Sequence, residues 1–217
     1  MHPMRLERPC ATRRGPLLAL VIAAAGCGDD PDAAPYASEL IRFDPGAEAG
    51  YGEEDLPDVV LGAPDGRGTM MGALDVLSLG IGGEIVLGFG DRAIVDGDGP
   101  DFLVFENSFW PAGDAEAVFA ELGEVAVSPD GERWETFECG ESAPGQYPGC
   151  AGWNPTLEYD PDTVVPLDPE LTGGDPFDLA EVGLERATHV RIRDLASEGS
   201  APSAGFDLDA IGAIHLE

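Results

Sequence analysis

The residues best suited to chemistry lie between Asp96 and Glu106. Asp96, Asp98 and Asp101 fall within six residues, Gly97 and Gly99 let the backbone bend between them, and Glu106 follows after one short apolar run. Carboxylates this close repel one another unless a cation neutralises them. A hard, oxygen-seeking ion such as calcium suits them. The spacing is not that of an EF-hand, which needs carboxylates or amides at positions one, three and five, Gly at six and Glu at twelve. Counted from Asp96, Pro100 stands at five, Asp101 at six and Glu106 at eleven. A solvated Asp-Gly turn satisfies the same residues, so calcium and a plain acidic turn both stay open.

The elements that must position these residues read as strands. Residues 85–89 and 102–105 are apolar runs on either side of the acidic turn, the pattern of paired or sequential strands. Residues 75–79 suggest another strand, and 59–61 a short one running into a turn. Residues 124–137 form a hairpin about Pro129-Asp130-Gly131, with Val125, Val127, Trp134 and Phe137 as core. Alternation continues over 187–195 and again over 205–214, where Phe206, Leu208 and Ile211 are anchors. In an extended strand Asp207 and Asp209 share the face opposite Phe206 and Leu208. That carboxylate face is then solvated, paired with arginine or metal-bound. With 30 Gly and 19 Pro, long helices have little room, and only residues 114–121 look helical. The expectation is an all-β fold, a sandwich or barrel with few short helices.

Charge narrows the function classes. Residues 1–26 hold four of the 11 basic and one of the 42 acidic residues, which leaves 7 against 41 and a net charge of −34 for the remainder. There is no lysine. Such a surface disfavours nucleic acid and bare anionic lipid and attracts cations. Adaptation to a salty medium gives the same composition, so acidity alone does not prove a metal site.

At the N-terminus Arg5, Arg8, Arg13 and Arg14 precede an apolar run over 16–25 that ends at Ala24-Ala25-Gly26-Cys27. A basic region, a short apolar region and small residues before the cut make a signal peptide over 1–26, too short to span a bilayer. The sequence before Cys27 resembles the lipobox of bacterial lipoproteins, which implies lipidation of Cys27; a plain secretory cut is the alternative. Arg13-Arg14 is similar to a twin-arginine signal, but Pro16 stands where a bulky apolar residue is expected, and the export route stays open. Residues 27–36 read as a flexible acidic tether, and 37–217 as one domain.

Cys139 and Cys150 then remain as a pair. Outside the cytoplasm a pair closing a Gly- and Pro-rich loop is most simply a disulfide. Zinc would want further Cys or His ligands, and only His189 and His215 remain outside residues 1–26, each in a strand-like run. Gly88-x-Gly90-x-x-Ala93 leads into Val95-Asp96-Gly97 instead of a helix, so it lacks the context of a dinucleotide fingerprint. No Gly-x-Ser-x-Gly elbow and no His-Glu-x-x-His is present.

Three stretches carry a family resemblance: the Ser-Pro-Asp-Gly-x-x-Trp hairpin from Ser128, the Ala-Thr-His-Val-Arg-Ile strand from Ala187, and the closing Gly-Phe-Asp-Leu-Asp-Ala-Ile strand from Gly205. Together they resemble the discoidin-type, galactose-binding-like β-sandwich. With Gly-Pro-Asp-Phe-Leu-Val-Phe-Glu-Asn and Gly-Asp-Pro-Phe-Asp-Leu-Ala, the chain is similar to bacterial exported cell-surface proteins and lipoproteins over about residues 58–214. The resemblance implies a single jelly-roll sandwich with a structural calcium. It also implies that Asp96, Asp98, Asp101 and Glu106, with Asp207 and Asp209, supply the ion's ligands.

The function expected is non-catalytic: a lipid-anchored envelope protein, at the outer membrane on either face, holding glycan or another cell-surface component. Trp110, Tyr147 and Trp153 are the candidate ligand-binding residues, because aromatic faces stack on sugars and loops carry function. A purely structural or adhesive role is the alternative. A carboxylate-based glycan-active enzyme is the third reading, but so acidic a chain always contains a suitably spaced pair. An exposed aromatic cluster at one loop end would separate binding from structure. The sequence does not set the oligomeric state.

Overall fold

Short apolar runs broken by glycine and proline make short strands, and the computed structural model, which describes residues 34–157 and 166–217, contains twelve of them among those residues. They are β1 (Glu39–Asp44), β2 (Leu77–Ser78), β3 (Glu84–Gly88), β4 (Ile94–Val95), β5 (Phe102–Glu106), β6 (Gly123–Ser128), β7 (Glu135–Thr136), β8 (Cys150–Ala151), β9 (Asp175–Phe177), β10 (Arg186–Ala187), β11 (His189–Asp194) and β12 (Asp207–Ala213). One α-helix, α1 (Pro169–Thr172), lies among the described residues, capped by Asp168, whose side chain accepts from Glu170 N. The first 33 residues, where the signal, the lipidated Cys27 and most of the tether are expected, lie outside the described residues.

The fold is an all-β sandwich. One antiparallel sheet runs β1-β3-β11-β6-β7, with β8 also paired to β6, and the other runs β2-β12-β5-β9. β4 and β10 make a two-stranded ribbon. The two apolar runs on either side of the acidic turn are therefore strands of different sheets with the short β4 between them, neither a pair nor consecutive.

Alternation decides which side chains meet between the sheets. Ile85 and Leu87 of β3, Val125 and Val127 of β6, and Val190 and Ile192 of β11 face Phe102 and Val104 of β5, Leu208 and Ile211 of β12, and Phe177 of β9 in one core. Phe102 stacks on Phe177 with ring centroids 5.1 Å apart, and Phe137 meets both rings edge-on. β5 is buried on its other side too, where Leu103 and Phe105 pack with Tyr36, Leu167 and Ala210. Two-sided burial accounts for the unbroken run Phe-Leu-Val-Phe, where a half-buried strand would alternate.

Four local expectations change. Residues 58–60 form a 3-10 turn that buries Val59 and Val60, not a strand. In 114–121 only Ala115–Ala117 is helical, a 3-10 turn capped by Asp114. Trp134 leaves the core: it is half-buried on the outer face of the first sheet, with the Arg191 guanidinium 4.7 Å from its ring centroid and His189 edge-on. The alternation of β12 is interrupted at Asp209, where the register against β5 slips between Leu208 and Ala210. Ala210 then joins the second cluster, while Ile211 and Ala213 return to the main core.

The hairpin turn forms as expected. Asp130 accepts from Glu132 N, Arg133 N and Arg133 Nε, and this convergence of donors lowers its pKa. The Cys139–Cys150 disulfide is present.

Candidate functional site

The six carboxylates expected to share one ion fall in three places. Asp101 immediately precedes β5 and Glu106 ends it, roughly 16 Å apart by strand rise, so no single cation spans them. That corrects the single-site expectation. The strand that carries both residues is the reason.

At the Asp101 end the buried carboxylate already has its donors. Gly97 N donates to Oδ1 at 2.8 Å, Leu179 N to Oδ2 at 2.7 Å, and His215 Nδ1 lies 2.8 Å from Oδ1. Asp96, Asp101 and Asp178 bring carboxylate oxygens within 4.8 Å of one another, which could accommodate a cation. Asp178 is engaged as well, accepting from Ala180 N at the start of a 3-10 turn. Asp96 and Asp98 are exposed, and Asp98 stands outside this group.

Three further buried aspartates organise loops in the same manner as Asp101. Asp175 accepts from Gly152 N (2.6 Å), Trp153 N (3.3 Å) and Asn154 N (3.0 Å). Burial pushes its pKa up to about 8, against the pull of those three donors. Asp194 accepts from Gly82 N, Ala196 N and Phe206 N; Gly205, at φ 77°, leaves room for it, since a Cβ there would strike its carboxylate. Asp209 accepts Asp65 N on both oxygens at 3.1 Å. Its burial raises the pKa to about 8, with Asp65 and Asp75 adding repulsion.

Glu106 differs from all of these. It is 1% exposed, its Oε1 accepts only Asp207 N at 3.4 Å, and its Oε2 has no partner. Beside it Asn107 gives Nδ2 to Asp207 Oδ2 at 2.9 Å, and its own buried Oδ1 is left without a donor. Ser78 Oγ donates to Asp207 Oδ1. Burial first, then the charges of Asp207, Glu121 and Asp175, hold the Glu106 carboxyl well above the usual carboxylate range. Half-buried Glu121 is pushed up to about 7 by burial and by Asp207 and Asp194. The structure thus brings Glu106 and Asp207 together and leaves Asp209 on the Asp65 segment.

Asn107 and Glu121 were not among the residues singled out from the sequence. An amide next to Glu106 was the available signal for Asn107. Nothing local distinguishes Glu121, which meets the group only through the fold. Gly72 packs on Asn107 so closely that a Cβ there would strike the Asn107 carbonyl.

The chain then leaves Ser108 into a loop closed by Phe109 and Phe119. Phe119 N donates to Phe109 O at 2.8 Å, and the two rings stack at 5.1 Å. Trp110 is half-buried and its N donates to Thr69 O at 2.7 Å, which ties the loop to the segment carrying Met70 and Met71. Met70, Met71, Leu74 and Phe119 are 60%, 57%, 61% and 45% exposed, large values for side chains of this apolarity. Trp153, in contrast, is tied down by Nε1 donating to Cys150 O, and Tyr147 is half-buried in the disulfide loop, where its carbonyl accepts Cys150 N.

Residues that often carry catalysis are engaged. His215 is on Asp101, His189 Nδ1 is 2.7 Å from Thr188 Oγ1, and Cys139 and Cys150 are bonded to each other. No protein-family model matches the chain, and no curated protein matches it.

Proposed function

We propose that the chain is a non-catalytic module of the cell envelope, lipid-anchored through Cys27 at the outer membrane, that holds a glycan or another surface ligand. The reading includes kinship with galactose-binding-like sandwiches among bacterial exported proteins. One observation carries the choice of binding over a purely structural role: Met70 and Met71, exposed next to the Thr69 that holds Trp110, and Phe119, exposed on its stack with Phe109, are large apolar side chains left in solvent on two segments tied to each other. Apolar side chains of this size are costly to leave in water, and a closed loop tied at Phe109–Phe119 and Trp110–Thr69 holds them in place. Stacked rings and thioethers suit the apolar face of a sugar.

The test is binding of the full chain, carrying Cys27→Ser, to an array of bacterial envelope glycans and to isolated envelope fractions. Saturable binding, reduced at least tenfold by Trp110→Ala together with Phe119→Ser at unchanged fold, is expected. A wild-type protein that retains nothing from either set would sink the binding reading and leave the structural or adhesive one.

A further inference from the structure

A cleft of about 680 Å³ opens between the turn at residues 50–55 and the segment at 74–76, with Pro202 alongside. Half of its lining is apolar. Val59 and Val76 are buried there, while Tyr51 and Leu74 are 36% and 61% exposed. The other half is acidic: Glu53, Glu54, Asp55 and Asp75 line the same cleft, all four are exposed, and no basic residue joins them. Among the described residues, the arginines and His215 form their ion pairs with Asp44, Glu84, Asp65, Asp130, Glu124 and Asp101, so none neutralises these four.

The walls of the cleft are fixed by hydrogen bonds. Tyr51 is held at three points: its N donates to Pro202 O at 2.8 Å, its carbonyl accepts Ser78 N at 3.1 Å, and its Oη donates to Leu74 O at 2.8 Å. The last of these ties the ring to the segment that carries Leu74 and Asp75. Gly52, at φ 79°, brings the acidic turn so close to Val76 that a Cβ there would strike the Val76 carbonyl. A cleft whose walls are set beforehand loses little freedom when a ligand enters.

We propose that this cleft binds a free alkyl polyamine, with its methylene chain on Tyr51 and Leu74 and its ammonium groups on Glu53, Glu54, Asp55 and Asp75. The two halves of the lining together choose the ligand. A bare metal ion makes no use of apolar walls, and a neutral sugar leaves four carboxylates without a counter-charge. An alkylammonium satisfies both, and the face of a tyrosine ring attracts it further. The acids stand on two segments, 53–55 and 75, so a chain with several ammonium groups meets partners on each, and the volume is that of a small-molecule site. Met70, Met71, Trp110 and Phe119 do not line the cleft, so the proposal is independent of any glycan.

A second cleft, of about 840 Å³, supplies an internal control. Glu135, Glu138, Glu141 and Glu181 line it, but its aromatic residue, Phe137, is buried.

Titration of the full chain carrying Cys27→Ser with spermidine, by calorimetry at fixed ionic strength, tests this, with magnesium and a short lysine-rich peptide in parallel. One saturable spermidine site per chain is expected. The Glu54→Gln, Asp75→Asn pair weakens it about tenfold, and Tyr51→Leu about threefold. The Glu138→Gln, Glu141→Gln pair removes the same charge from the second cleft and leaves the affinity unchanged. All four amide changes lie on exposed side chains and keep the fold, which the thermal midpoint verifies. Equal weakening by the two pairs, or equal binding of magnesium at this site, would show only general attraction to an acidic surface and overturn the proposal. Capture of the peptide without spermidine, or no binding at all, would overturn it as well.

Discussion

Asp101 stands at the start of β5 with His215 Nδ1 2.8 Å from its Oδ1, and the contact joins the entrance of a central strand to the C-terminal segment. The same aspartate takes Gly97 N and Leu179 N, while its backbone carbonyl accepts Ile214 N and His215 N. Three stretches of chain therefore converge on one residue. Asp101→Ala leaves two backbone N–H groups and an imidazole without their acceptor, and the loss expected is about 3–5 kcal/mol. Asp101→Asn retains one acceptor oxygen and costs less. Urea unfolding of both variants checks this, and a loss under 1 kcal/mol for the alanine variant would contradict the role.

Stability should fall as pH rises. Asp175 has an ordinary carboxylate pKa when the chain is unfolded and about 8 when folded, so between these values the native state binds more protons than the unfolded one. Its contribution is fully present below about pH 4 and is lost progressively up to about pH 8. In EDTA the thermal midpoint is expected to be several degrees lower at pH 8 than at pH 5, and Asp175→Asn to flatten that slope. A midpoint that climbs over this range would show Asp175 to be ionised in the native state.

The disulfide closes a loop with a sequence separation of 11 residues. Chain entropy for a loop of that size gives about 3 kcal/mol. The Cys139→Ser, Cys150→Ser double variant should lose that much in chemical denaturation, with β6 and β8 still paired.

Trp134 and Phe137 make a matched pair of tests. Phe137 is buried against Phe102 and Phe177, and Phe137→Ala should cost about 3–5 kcal/mol. Trp134 covers Arg191 on the outer face, and Trp134→Ala should cost about 1 kcal/mol. Comparable losses would place the tryptophan in the core after all.

That pair also marks how far the sequence reading reaches. Both aromatics lie in one hairpin rich in strand signals, but the contacts that keep Trp134 outside the core, Arg191 over its ring and His189 at its edge, come from β11, about 55 residues further along the chain. Strand runs such as Phe-Leu-Val-Phe were legible because their apolarity is local. The β12 bulge was not, because a slipped register is a relation between two strands. The candidate ion ligands divided for a similar reason. Asp96, Asp98 and Asp101 are close along the chain, whereas Glu106 and Asp207, about a hundred residues apart, are close only through the pairing of β5 with β12. Sequence spacing cannot express that neighbourhood.

The way the chain enters the sandwich has a mechanical consequence. Ala37 N and Pro35 O hydrogen-bond to Ile211 and Ala213 of β12, and Ser38 N bonds to Gly88 of β3, so four residues grip both sheets before β1 begins. Because its partners belong to opposite sheets, peeling this segment away breaks hydrogen bonds to both layers. Removing residues 35–38 would therefore unpair backbone groups of β12 and of β3 together.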